Sequence, residues 1–193
     1  MVVKLNTGIR RISESGAGTG TAMNLKALAR FLYANVPGAA VARFGIMDLT
    51  AARFAKPEYG GVVALALDGG LIVDIGANRG QSIAAFRTLA PRSRIVAFEP
   101  EPRSGERLGA RYRAAKTVAI HACRLGKGRG SLTFFVPSYG RWDCDGMSAT
   151  SREAATSWLE DPGRMFHYDE AKLTVREHSI ECRTLDSFGL VPR

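Results

Sequence analysis

An α/β fold built on a mainly parallel sheet is what this 193-residue sequence predicts. Short unbroken apolar runs at 71–73 and 95–98 have the pattern of strands buried on both faces, as parallel sheets demand when helices cover them. Helical periodicity follows each run, so strand, helix, strand, helix and strand alternate from residue 71 to residue 121, the spacing of right-handed crossovers. Composition agrees. With 46% apolar and 23% charged residues, the chain is neither disordered nor collagen-like, and its length supports a core without staples.

The elements follow in order. Residues 1–23 are polar and glycine-rich and read as a flexible leader. Gly16, Gly18 and Gly20 imitate a phosphate loop, but no apolar strand precedes them. Residues 24–193 form one domain, opening with helices over 24–68. Leu25, Leu28, Ala29 and Leu32 have helical spacing, with Asn24 as N-cap and Pro37 beyond the end. Pro57 starts a second helix to Leu67, closed by Gly69–Gly70.

Residues 69–126 form the half expected to bind a ligand. Leu71–Val73 is the first strand, and DIGANRG (74–80) leads into the helix QSIAAFRTLA, ended by Pro91. Arg94–Phe98 is the second strand. Residues 103–115 form an arginine-rich helix with Leu108 and Tyr112 at i, i+4, and Thr117–His121 is the third strand. Residues 127–193 change character: a GKGRG turn, a strand at Ser131–Val136, a long loop over 137–170 with a short helix at Glu153–Leu159, and a strand at Leu173–Arg183.

Cys123, Cys144 and Cys182 form no CxxC pair and read as free thiols. No apolar leader with a cleavage pattern opens the chain, and Asp68 with Gly69–Gly70 breaks the most apolar stretch too early for a membrane span. A cytoplasmic protein is expected. His121 and Cys123 lack the second ligand pair of a zinc site, so no metal is expected.

Open parallel sheets bind ligands beyond the carboxyl ends of their strands, where the strand order reverses, and the DIGANRG loop is assigned to that place. Gly76 and Gly80 permit a tight turn and close ligand approach, and the next helix presents its N-terminal amides near Gly80–Ser82. Glu99 ends the second strand and suits a ribose. The glycines read GxxxG rather than GxGxxG, and Asp74 stands directly before them. A carboxylate there repels a pyrophosphate but suits a cationic amino-acid end. S-adenosylmethionine, a nucleoside with an ammonium and a sulfonium and no phosphate, fits; NAD does not.

VDIGANRGQS followed by IVAFEPEP resembles the FkbM-type methyltransferases, a branch of the Rossmann-like S-adenosylmethionine-dependent enzymes. The resemblance spans about residues 57–188, through GKGRGSLTFF, DGMS (145–148) and CRTLDSF (182–188). It implies a Rossmann-like methyltransferase fold and cofactor contacts from Asp74, Gly76, Ala77, Asn78, Gly80, Ser82, Glu99 and Pro100, with Ala122–Leu125 bordering the adenine. The family usually has Ala-Leu-Gly where this chain has Arg124-Leu125-Gly126, and Arg124 is expected to crowd or re-aim that edge. Family members also continue past TLDSF into a further strand beside the first one. The chain therefore reads as truncated at its C-terminal side, with that sheet edge open to pairing with a second copy. The final LVPR resembles half of a protease tag-removal site.

The resemblance implies O-methylation of a small molecule, glycan or lipid-linked sugar. No spacing singles out a catalytic base: His121, Asp143 and Asp145 are candidates, each with a structural explanation at a strand end or turn. Tyr139 and Trp142 could stack on an acceptor, although buried loop anchors are commoner. Two readings of other classes stand beside this one. The chain carries a net +9, with eleven Lys/Arg against three Asp/Glu from Arg87 to Arg129, which suggests RNA binding or modification. No RNA-binding motif or aromatic row accompanies the arginines, and nucleic acid is the lesser expectation. The third reading is an inactive nucleoside-binding fragment.

Overall fold

Apolar runs in the sequence become a four-stranded parallel sheet in the computed structural model, which describes residues 2–5, 25–51, 53, 59–61, 69–161, 164–165 and 167–190, with backbone only at 2–5 and 145. Its strands are β1 (Val2–Leu5), β2 (Leu71–Ile75), β3 (Arg94–Phe98) and β4 (Val118–His121), in that spatial order. The crossovers between the last three contain α3 (Gln81–Leu89) and α4 (Pro102–Tyr112), preceded in the chain by α1 (Leu25–Asn35) and α2 (Ala39–Thr50).

Alternation along the strands explains why both faces are dry. Ile72, Ile95 and Ala97 pack with Ile83, Phe86, Leu108 and Tyr112 of α3 and α4. Leu71, Val73, Val96 and Phe98 form a second cluster with Cys123, against which Leu185 and Phe188 pack. Ile72, Ile83, Phe86, Ile95 and Leu108 are wholly buried, and each such side chain contributes about 1.5–3 kcal/mol.

A second sheet has the order β5, β8, β6, β7: β5 (Arg124–Leu125), β8 (Leu173–Arg183), β6 (Gly130–Tyr139) and β7 (Trp142–Asp143). β6 and β8 pair antiparallel from Gly130 opposite Cys182 to Tyr139 opposite Leu173. The turn after β6 seats on α1. Gly140 has φ 56, a Cβ there would lie 2.5 Å from the Ala34 carbonyl oxygen, and the Arg141 amide donates to that oxygen at 2.9 Å. Ala34 shares a core with Tyr139, Trp142, Met165 and Leu159, the last from α5 (Arg152–Glu160).

Three expectations change. Val2–Leu5, assigned to the leader, forms β1 and pairs in parallel with β2 from Val2 opposite Ile72 to Leu5 opposite Ile75. The edge of β2 expected to stand open is therefore occupied, because Val2–Leu5 pairs with a strand about seventy residues away. Helix α2 lies within the helical span 24–68 but between the two helices that the sequence locates there. Finally, the order β1-β2-β3-β4 is monotonic, so no reversal occurs among the described strands, and the loop after β2 must be judged on its own geometry. Of the helix expected over 57–67, residues 59–61 are helical and the others lie outside the described residues; so do Asn24 and the glycines at 16, 18 and 20.

Candidate functional site

Residues 76–80 form the loop between β2 and α3, fastened to the end of β3. Gly76, Asn78 and Gly80 have φ of 76, 49 and 78, a left-handed conformation natural to glycine and tolerated by asparagine. The amides of Gly76 and Ala77 donate to the Phe98 carbonyl at 2.9 and 3.1 Å. The Asn78 amide donates to Glu99 Oε2 at 2.5 Å, and the Glu101 amide donates to Glu99 Oε1 at 2.8 Å. Both Glu99 oxygens thus hold backbone: one the loop, the other the start of α4. A carboxylate oxygen has lone pairs for more than one donor.

Glu101 has a different task. Its side chain accepts from the amides of Arg103 and Ser104 and caps α4, with Pro102 in the first turn. The FEPEP segment therefore contains one carboxylate that joins the loop to the sheet and one that starts a helix. Pro100 between them is half-buried.

Asp74 is sealed from solvent, and the Ser82 hydroxyl donates to its Oδ2. This pair ties the first turn of α3 to the end of β2. Gly80 also proves to be a packing residue: a Cβ there would lie 2.5 Å from Leu108 Cδ2 and 3.4 Å from the Tyr112 ring. The missing side chain thus leaves room for α4. Asp74, Glu99 and Glu101 are all buried at the ends of β2 and β3, which concentrates negative charge there. Asn78 Oδ1 is a buried acceptor without a partner among the described residues.

Two contacts at this loop are long-range in sequence. The short 3-10 turn Asp145–Met147 brings Gly146 so close that a Cβ would stand 3.2 Å from Asn78 Nδ2. The DGM segment thus meets the loop. From α2, Asp48 accepts from Arg79 at 3.2 Å and from Gln81 at 3.4 Å, while the Arg79 guanidinium lies 4.6 Å above the Phe44 ring. Asp48 and Arg79 are each 17% exposed. Asp48→Ala is expected to cost about 1–2 kcal/mol, in the range of hydrogen bonds to charged groups, measured by urea unfolding. A loss below 0.3 kcal/mol, about the precision of the method, would show that the contact does not secure the loop.

The other candidates fall elsewhere. His121 stacks on Phe98 with ring centres 5.2 Å apart and meets the Phe188 ring at a tilt, with centres 4.6 Å apart. Burial, aided by Arg183, holds its imidazole below the usual histidine range, so it is neutral at pH 7. Asp143 pairs with Arg103 at 3.3 Å and Arg176 at 3.1 Å, joining α4 to β8. The side chain of Asp145 lies outside the described residues. Tyr139 and Trp142 are buried: Tyr139 stacks on Tyr168 and accepts the Asp169 amide at 2.6 Å, and Trp142 meets Tyr33 edge-on at 6.0 Å. Both anchor the second sheet. Among Ala122–Leu125, Cys123 is buried, Leu125 is half-buried, and Ala122 and Arg124 are exposed. The eleven basic residues from Arg87 to Arg129 are all exposed. No group of three metal-ligating side chains occurs among the described residues, and no helix there is long and apolar enough to cross a membrane.

A family model, the methyltransferase FkbM domain, matches residues 74–193. No curated protein matches the chain.

Proposed function

From the premise that this chain belongs to the FkbM methyltransferase family, we propose that it takes its methyl group from S-adenosylmethionine, on a Rossmann-like sheet, and delivers it to a hydroxyl. The acceptor proposed is a small molecule, a glycan or a lipid-linked sugar.

The observation that carries this reading is the loop at 76–80, bound through the Asn78 amide to Glu99 and carrying one unsatisfied buried acceptor, Asn78 Oδ1. A buried polar atom without a partner costs about 1–3 kcal/mol, and a ligand ammonium is a donor that removes the cost. The buried carboxylates favour a cation over a pyrophosphate at the same place. Among the residues proposed to hold the cofactor, Gly76, Ala77 and Asn78 would offer the loop backbone. Glu99 and Pro100 would flank the ribose, while Asp74, Gly80 and Ser82 support the loop from beneath.

The sulfonium supplies an already activated methyl group. What the protein must add is alignment for an in-line displacement and exclusion of water. Asp48, through Arg79, and Gly146, beside Asn78, restrict the loop from two sides, which lowers the ordering cost of binding. Of the candidate bases, His121 packs against Phe98 and Phe188 and Asp143 is paired with Arg103 and Arg176, so the catalytic residue is left unassigned.

Calorimetric titration tests the reading. S-adenosylmethionine and S-adenosylhomocysteine are expected to bind with micromolar dissociation constants, of the order of −8 kcal/mol, whereas NAD shows no heat of binding. A folded chain that binds neither S-adenosylmethionine nor S-adenosylhomocysteine would overturn it, whether or not it binds NAD.

A further inference from the structure

Seven of the eight large apolar side chains exposed among the described residues lie on one short stretch, α1, α2 and the turn between them: Leu25, Leu32, Val36, Val41, Ile46, Met47 and Leu49. Four of them are more than 60% exposed, Leu49 reaching 82%. Exposed apolar residues scattered singly need no explanation, but a concentration of this kind marks an interaction surface.

Helix α2 sharpens the point. Ala40 and Phe44 pack inward against the core shared by α1 and the second sheet, and Asp48, one turn on, holds Arg79 and Gln81. Val41 and Leu49 lie two turns apart with Gly45 between them, and Ala42 and Ile46 run beside them. The helix is apolar on two sides, as buried helices are, yet only one side is covered by described residues.

Charge identifies the missing partner. Over residues 25–51 and 53 the charged side chains are Lys26, Arg30, Arg43, Arg53 and Asp48. The one acid is turned inward into its ion pair with Arg79, whereas Lys26, Arg43 and Arg53 are exposed. The face is thus apolar with a basic fringe and carries no exposed acid among the described residues. A second copy of this chain would bring another such fringe, on a molecule of net charge +9, against it. An anionic lipid surface complements both features: its acyl boundary takes the apolar side chains and its headgroups take the lysine and arginines.

We propose that the α1–α2 hairpin docks this protein on anionic membranes. Resting on the reading above, the docking names the acceptor class: an amphiphile held at the membrane surface. Asp48 is on the docking helix and grips the loop at 76–82, so the hairpin that meets the lipid also positions the methyl-donor site.

The test is co-sedimentation of the full chain with vesicles of phosphatidylglycerol and phosphatidylcholine, and with vesicles of phosphatidylcholine alone. Binding to the anionic vesicles is expected, with a decline of about tenfold or more in pure phosphatidylcholine or when salt is raised to about 0.5 M. Ile46→Asp together with Leu49→Asp is expected to lower anionic-vesicle binding by about tenfold or more, from the loss of two apolar side chains. The thermal midpoint and S-adenosylmethionine binding of this variant should match the parent chain. Binding unchanged by the paired substitution overturns the proposal, as does equal binding to both vesicle types. So does a concentration-dependent dimer, broken by the substitution, in a chain that ignores vesicles. Vesicle binding needs no methyl donor, so a chain that binds vesicles but not S-adenosylmethionine refutes the donor reading alone, and the converse refutes the docking alone.

Discussion

Gly80→Ala is expected to destabilise the fold by about 2–6 kcal/mol, the largest effect of any single methyl group added at the site. Two independent costs combine. The backbone at this position has φ 78, where an L-residue with a Cβ is strained by about 1–3 kcal/mol. The new methyl would also stand 2.5 Å from Leu108 Cδ2. Leu108 is wholly buried among Ile72, Ile83, Phe86 and Ile95 and has little space to retreat; overpacking of this kind costs about 1–3 kcal/mol. A double-mutant cycle separates the terms. Leu108→Ala removes the clash but not the strain, so the two substitutions should be less than additive by about 1–3 kcal/mol in urea unfolding. Additive losses would mean that backbone strain alone fixes glycine here.

This result bears on how the glycine loop is to be read. From the sequence, Gly76 and Gly80 form one pattern serving a ligand. In the fold, Gly80 serves the packing of α4 against α3, and the backbone of Gly76 serves the junction with β3 through the Phe98 carbonyl. A glycine spacing shows where a chain turns tightly; what the missing side chain would have struck depends on a helix some thirty residues later.

The same distinction governs what else could be read ahead of the structure. The parallel strands β2, β3 and β4 are legible because their apolar runs are local and must be buried on both faces. β8 follows its expected limits of Leu173 and Arg183 because β-branched residues and the turns around it are likewise local. Helix α2 is illegible because Val41, Ile46 and Leu49 are apolar on the face away from the core, which erases the one-sided period that identifies a surface helix. β1 is illegible because Val2–Leu5 owes its structure to β2, far along the chain. At the site, the nearness of the loop to Glu99 follows from one crossover and could be anticipated. The approach of Gly146 to Asn78 and the grip of Asp48 on Arg79 depend on the second sheet and on α2, and no spacing announces either.

Substitution of Glu99 should reduce S-adenosylmethionine binding at least a hundredfold, about 2.7 kcal/mol, and it also tests whether binding and folding can be separated at this site. Glu99→Ala removes the acceptor for two amides, those of Asn78 and Glu101, and leaves both donors unsatisfied in a buried place at about 1–3 kcal/mol each. Loss of binding there would be confounded with a loosened loop. Glu99→Gln retains the shape and one accepting oxygen while turning an amide nitrogen toward a backbone N–H, so it should cost less stability yet still abolish the charge proposed to meet the ribose. Glu101→Gln is the matching control. That side chain caps α4, so its substitution should cost about 0.5–2 kcal/mol of stability and leave the affinity within about threefold, under 0.7 kcal/mol. If both variants lose binding in proportion to their loss of stability, Glu99 acts only as a brace between the loop and the sheet. If Glu99→Gln loses binding far beyond its loss of stability, the carboxylate itself meets the ligand, and the geometry that ties it to Asn78 is the device that keeps it aimed.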